Sequence, residues 1–438
     1  MRVRFMKQPT MVALFWIMSV PPLLANDFLF DAVEIGQDPW PFETLALEAI
    51  SHYPSVTAGL RQLDASQADL DAAKWQRFPT PAVQASTDDD ITQAMLSLEQ
   101  PLWTGGRITA GIEAAASRSG ATREQVDVVR QDVLQQVIDA FAEAQRRTAQ
   151  MEIATHNVEE LRELQQMIER RVRQMASPEA DLALASSRLS QAVAERTAIA
   201  QALRSSLARL SELAGREVTH IEPSTAPAET GLESQLEDVQ RQAMAHSPQL
   251  AQLGFQQQAA VADTRSERAA RYPTLALRLE QREGRGSGLA ESERSDTRVL
   301  VVMESNFGAG LSTAASINAA SSRQESLEQE RETALRELRS DVADLWHQRE
   351  SARLRLESAE QTRLSADRVS ASYTRQYAIG QKSWLDLMNA VREASSAGLD
   401  VEDARADVFR STWQLAALTA DPASLIADAH PDPRDVTP

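Results

Sequence analysis

Residues 80–103 read TPAVQASTDDDITQAMLSLEQPLW, and residues 274–307 read TLALRLEQREGRGSGLAESERSDTRVLVVMESNF. Each is a strand, a loop and a second strand. In the later segment Leu275, Leu277 and Leu279 alternate with Ala276, Arg278 and Glu280. That period of two gives a sheet one apolar and one polar face. The expected strands are Thr80–Thr87, Ile91–Trp103, Thr274–Glu283 and Thr297–Phe307. Asp88-Asp89-Asp90 forms the first loop tip. The second loop, Gly284–Asp296, is rich in glycine, serine and charge, so it is expected to be exposed and mobile.

Strands of roughly ten residues match the height of an outer-membrane barrel wall. A single chain offers too few of them, since the smallest such barrels close with about eight strands. Hydrocarbon cannot satisfy open backbone N–H and C=O groups, so an unclosed sheet cannot stay in lipid. Several copies must therefore share one barrel. Eight strands leave an interior filled by side chains, so a conducting lumen points to three or more copies. Phe78, Trp103, Tyr272 and Phe307 stand at the hairpin bases, the places of an aromatic girdle at a membrane interface; packing at strand–helix junctions is the plainer alternative.

Outward from the hairpins the chain is helical. The stretch from Ile108 to Met175 is expected to form one helix about 100 Å long at 1.5 Å per residue. Val126, Val129, Val133, Val137 and Phe141 form an apolar stripe that Leu161, Leu164, Ile168, Val172 and Met175 continue. Such stripes need neighbouring helices. Ser312–Tyr377 is the corresponding long helix, and returning helices run to about Leu213 and Leu418. Before each hairpin lies another helix, Phe42–Lys74 or Leu236–Ala269, ended by Phe78-Pro79 or Tyr272-Pro273 because proline cannot continue it.

These elements occur twice in the same order. His52-Tyr53-Pro54 and Arg77-Phe78-Pro79-Thr80 return as His246-Ser247-Pro248 and Arg271-Tyr272-Pro273-Thr274, both 194 residues on. Past the hairpins the offset is 204 for Trp103 and Phe307, and 205 for Asp181 and Asp386. The second hairpin thus carries an insertion. The expected organisation is a signal peptide over 1–25, a first repeat over 26–215, a linker over 216–235, a second repeat over 236–420 and a tail over 421–438. Arg2, Arg4 and Lys7 precede the apolar run Met11–Val20, which is too short to span a bilayer, as in a cleaved export signal.

The chain has 438 residues and no cysteine, which excludes disulfides and thiolate chemistry. Its 6 histidines show no metal-ligand spacing, and His52 and His246 each precede a proline turn as structural residues. The formal net charge of -18 becomes more negative when the cationic signal leaves, a poor surface for nucleic acid. No Gly-rich phosphate loop and no convergent acidic cluster appears, so no enzyme, cofactor or metal centre is expected.

The motif Tyr377-Ala-Ile-Gly-Gln-Lys-Ser-Trp-Leu-Asp-Leu-Met-Asn-Ala390 resembles the periplasmic-tip signature of the TolC family of outer-membrane efflux and secretion channels. Ala180–Ala185 is its weaker counterpart, and Leu102-Trp103-Thr104-Gly105-Gly106-Arg107 resembles the family's link from strand to long helix. The resemblance implies a homotrimer in the outer membrane: a shared β-barrel, a long α-helical barrel as periplasmic tunnel, and four strands per chain. It implies an exit duct working with a periplasmic adaptor and an inner-membrane transporter. It assigns Asp181, Tyr377, Lys382 and Asp386 to the periplasmic gate. Lys382 stands where an arginine is common, and Asn389 where a second acidic ring is expected, so cation binding at the mouth is expected to be weaker. Asp181 and Asp386 also suit a plainer role as complements to helix dipoles. Residues 73–80 resemble members that serve type I secretion of large adhesins. A periplasmic adaptor or scaffold with helical hairpins is the competing reading, against which stands the lack of a Gly-rich β-domain.

Overall fold

The computed structural model describes residues 39–88, 91–224, 235–286, 293–305 and 312–420. The expected signal peptide, Asp89-Asp90, Phe307 and the C-terminal tail lie outside them. In chain order the elements are α1 (Phe42–His52), α2 (Pro54–Trp75), β1 (Thr80–Asp88), β2 (Ile91–Trp103), α3 (Arg107–Arg173), α4 (Glu179–Ala214), α5 (Leu236–His246), α6 (Pro248–Ala269), β3 (Thr274–Gly286), β4 (Glu293–Glu304), α7 (Thr313–Ala378) and α8 (Trp384–Thr419).

The long helices α3 and α7 have 67 and 66 residues, which is about 100 Å each. α2 and α4 flank successive stretches of α3, and α6 and α8 flank successive stretches of α7. α3 also packs against α6 and α8, which joins the two halves. Its predicted stripe faces inward: Val126, Val133, Val137, Phe141, Leu161, Leu164 and Ile168 are buried. Val129 and Val172 are half-buried, and Met175 departs furthest. It is 96% exposed because the helix stops at Arg173 and Met175 lies in the turn beyond it.

The expected single helices before the hairpins are each two. Pro54 and Pro248 have no N–H to give to a preceding carbonyl, but each fits the first helical position. The chain therefore breaks at Tyr53 and Ser247 and restarts as α2 and α6. Ser247 caps its restart by accepting a hydrogen bond from the Leu250 amide.

The four strands form one antiparallel sheet in the order β1-β2-β3-β4. The halves meet where β2 pairs with β3, Ile91 opposite Gly286 and Leu98 opposite Leu279. Strands β3 and β4 run further than expected. Gly284–Gly286 and Glu293–Asp296, expected in the loop, belong to strands, since Ile91–Gln93 extend the ladder and Arg285 pairs with Glu293.

Phe42 anchors the largest core. Its ring lies 5.2 Å from Phe141, 5.6 Å from Phe409 and 4.4 Å from Trp413. Three elements, α1, α3 and α8, are thus clamped together about one aromatic ring. A second core lies toward the α3–α4 and α7–α8 turns, and a third joins α5, α7 and α8. A short parallel bridge between Trp40 and Ile221 ties the linker to the start of the first half.

Candidate functional site: an amphipathic sheet and a periplasmic tip

At one end of the helices the sheet presents two unlike faces. The register places Val83, Leu96, Leu98, Leu277, Leu279, Val299, Val301 and Met303 on one face. All are exposed, Val299 by 68% and Met303 by 72%. The other face carries charge. Arg278 donates to Glu99 on the neighbouring strand at 2.6 and 2.9 Å, Arg282 reaches Glu280 at 2.9 Å, and Arg298 reaches Asp296 at 2.5 Å. Apolar groups outward and paired charges inward are what a wall between lipid and a wet lumen requires. Among the described residues β1 pairs only with β2 and β4 only with β3, so each outer strand keeps one edge unpaired there.

The predicted aromatics lie at the base of this sheet. Trp103 and Tyr272 stand edge to face at 6.1 Å, both about half exposed. Phe78, also exposed, lies 5.0 Å from Trp75, an aromatic of the 73–80 stretch that was not counted among the expected girdle residues. Gly105 explains the tightness of this corner. Its φ is +63°, and a Cβ there would come within 2.9 Å of the Tyr272 Cβ. Gly106 follows at φ +92° as the N-cap of α3.

At the far end α3 turns into α4 and α7 into α8, and there the four predicted gate residues gather. Both turns close in the same way. The Ala176 amide donates to Arg171 O at 2.8 Å, and the Gln381 amide donates to Gln376 O at 2.9 Å, 205 residues later. The residue forced left-handed is Met175 (φ +56°) in one and Gly380 (φ +76°) in the other. Tyr377 is 6% exposed, with the Trp384 ring at 5.2 Å and the Arg171 guanidinium 5.0 Å from its centre. The Lys382 ammonium lies over the Tyr373 ring at 4.2 Å, a cation–π contact.

Asp386 completes a capping box. Its amide donates to Ser383 Oγ at 3.1 Å, while its carboxylate accepts from the Ser383 hydroxyl at 2.8 Å and from the Ser383 amide at 3.3 Å. These bonds, above all that from the Ser383 hydroxyl, hold the Asp386 carboxyl below its usual range, and Lys382 adds to the effect. Asp181 lies in the first turn of α4, where the N-cap is Pro178 and no side chain caps the helix. The turns are joined by Trp384, whose indole N–H donates to Asp181 O at 3.0 Å. Trp384 was quoted in the tip motif, yet its bridging role was missed; a tryptophan at a helix start is the signal that a buried N–H needs a partner.

Among the described residues no group of three His, Asp or Glu is placed to hold a metal ion, and no helix is long and apolar enough to cross a membrane.

The sequence profile of the family described as "Outer membrane efflux protein" matches residues 45–216 and 239–421. No curated protein matches. Solved structures share the fold. The outer membrane protein VceC of Vibrio cholerae superposes with a TM-score of 0.75 at 16% identity, covering 86% of this chain and 96% of its own. The open state of the MtrE outer membrane channel of Neisseria gonorrhoeae gives 0.71 at 18%, with 86% and 88% covered. The CmeC outer membrane channel of Campylobacter jejuni gives 0.73 at 13%, with 89% of each covered.

Proposed function

The chain belongs to the outer membrane efflux protein family, the TolC family, and on that premise we propose that it is the exit duct of a tripartite export system, assembled as a homotrimer. As a family member it is an outer-membrane channel with a periplasmic helical extension, a transport protein and not an enzyme. The observation that carries the proposal is the sheet. It has an exposed apolar face, a charged opposite face and two unpaired edges. Only β1 of one copy against β4 of the next removes those edges without a foreign partner, and three copies supply enough strands for an open lumen.

The helical body then forms the periplasmic tunnel. Phe78, Trp103 and Tyr272 mark the barrel's periplasmic interface. Asp181, Tyr377, Lys382 and Asp386 surround the aperture at the opposite end, where a periplasmic adaptor and an inner-membrane transporter engage and supply the energy. The cargo is drugs or secreted proteins. Residues 73–80, which resemble members that serve type I secretion, favour secreted proteins.

Cysteines introduced singly along residues 81–86 and 297–303 test the assembly, since the chain has none of its own. Combinations across β1 and β4 are expected to yield covalent trimers in detergent; a stable lone subunit overturns the proposal. For the gate, Lys382→Ala and Tyr377→Phe are expected to raise single-channel conductance in planar bilayers. Unchanged conductance in both removes these residues from the aperture.

A further inference from the structure

We propose that Trp384 is the positioning residue for Asp181: its indole holds the first turn of α4 in place and so fixes where the Asp181 carboxylate stands at the aperture. The inference rests on the duct reading, in which Asp181 lines the tip.

The two acids expected at the mouth are held in different ways. Asp386 is fastened by its own turn, through the Ser383 hydroxyl and amide. Asp181 has no such help. The N-cap of α4 is Pro178, whose side chain accepts nothing, and the Asp181 amide reaches only back to Pro178 O at 3.1 Å. Among the described residues no hydrogen bond or ion pair reaches the Asp181 carboxylate. The turn before it holds Met175 in the left-handed region, where a side chain is strained. The start of α4 is therefore weakly anchored by its own sequence.

α8 supplies the anchor. It begins at Trp384 behind a complete capping box, and Gly380 takes the left-handed position without a Cβ. From this firm turn the indole N–H crosses to Asp181 O at 3.0 Å. A carbonyl has two lone pairs, so this bond adds to the helical one and does not replace it. The Trp384 ring is buried in the same apolar cluster as Ala185 of α4 and Leu164 and Ile168 of α3. It cannot turn away without opening that packed core. Its other neighbour is the Tyr377 ring at 5.2 Å, which carries the Arg171 guanidinium 5.0 Å from its centre. Arg171 ends α3, Tyr377 ends α7, Trp384 starts α8 and Asp181 starts α4. One line of contacts thus ties four helix ends, and Trp384 is its link to Asp181. Carboxylates ringed at a pore mouth favour cations, with a strength that falls as they move away from the path. Placement of Asp181 by Trp384 therefore sets ion preference without Trp384 touching the ion.

The test is the potassium-over-chloride permeability ratio of the full-length assembly in planar bilayers, read from reversal potentials across a KCl gradient. Trp384→Phe and Trp384→Met both remove the indole donor and keep apolar bulk; either one that assembles suffices. The ratio is expected to fall about twofold in these variants and about fivefold in Asp181→Asn. In the Asp181→Asn background the Trp384 substitutions are expected to change it by less than about 1.2-fold, because they act through the same carboxylate. A wild-type chain that forms no channel removes the duct reading. An Asp181→Asn channel of unchanged ratio removes Asp181 from the mouth. Either result takes this inference with it. Where Asp181→Asn does lower the ratio, the inference alone is overturned by any of three results: Trp384 variants with the wild-type ratio, losses that multiply independently in the double variants, or failure of both Trp384 variants to assemble, which makes the indole a requirement of the fold.

Discussion

Helix α1 of the first half and helix α5 of the second are both 11 residues long and stand at equivalent places, yet they bury different side chains. α1 sinks Phe42, Leu45, Ala46, Ala49 and Ile50, whereas α5 sinks Val239 and Ala243. Phe42 enters an aromatic cluster to which the second half contributes Phe409 and Trp413. Leu236, its positional counterpart, is only partly buried. At the tip the asymmetry runs the other way. The second half has Gly380 at the left-handed position and a complete capping box, while the first has Met175 there and the uncapped Pro178. A duplicated backbone path thus tolerates divergence in what stabilises it. Core weight lies with the first half at mid-helix, and turn chemistry with the second at the tip.

Substitutions can break this comparison. The largest expected effect is at Phe42. Phe42→Ala should cost about 3–5 kcal/mol, since the ring is fully buried among three others. Leu236→Ala should cost less than about 2 kcal/mol. Denaturant unfolding followed by tryptophan fluorescence ranks the two, and equal losses would erase the mid-helix asymmetry.

Next come the left-handed positions. Gly380→Ala places a Cβ in the left-handed region and should cost about 1–2 kcal/mol. Met175→Gly relieves that strain but loosens the unfolded chain, so its net gain should stay below about 1 kcal/mol. Thermal denaturation of both variants sharpens the tip comparison, and a destabilising Met175→Gly would contradict it.

The smallest effect concerns the cap. Ser383→Ala should cost about 1 kcal/mol, with the loss confined to the start of α8. The sign with pH follows from Asp386. Its folded pKa lies below the unfolded one, so its contribution is present above the ordinary carboxylate range and fades as pH falls through the lowered value. Acidification from neutral pH to about 3 should loosen the wild-type turn and affect Ser383→Ala less, as read by hydrogen exchange at residues 383–387.

Much of this was legible in the sequence because it depends on period. Alternation gave the strands, spacing of three and four gave the buried stripe of α3, and matched proline motifs gave the repeat. Three features were not. The breaks at Tyr53 and Ser247 were absorbed into single helices, although Pro54 and Pro248 marked them, because a proline in a first turn leaves the apolar pattern intact. The pairing of β2 with β3 is invisible to any local window, and with it the extra length of β3 and β4. Asp181, Tyr377, Lys382 and Asp386 stand by the α3–α4 and α7–α8 turns, and what they and their neighbours touch within the chain depends on packing: Lys382 rests on Tyr373, and Trp384 bridges the two turns.

The β2–β3 seam has a kinetic corollary. Arg278 and Glu99 face each other across a separation of 179 residues, through which the chain travels down α3, back along α4 and up through α6. Contacts so distant in sequence form slowly, because the intervening loop must be ordered first. The same holds for the seam between α3 and α8, where Arg146 meets Asp403 across 257 residues, so the joining of the two halves is expected to come late as a whole. Any delay in zipping the β2–β3 seam leaves naked strand margins open to aggregation.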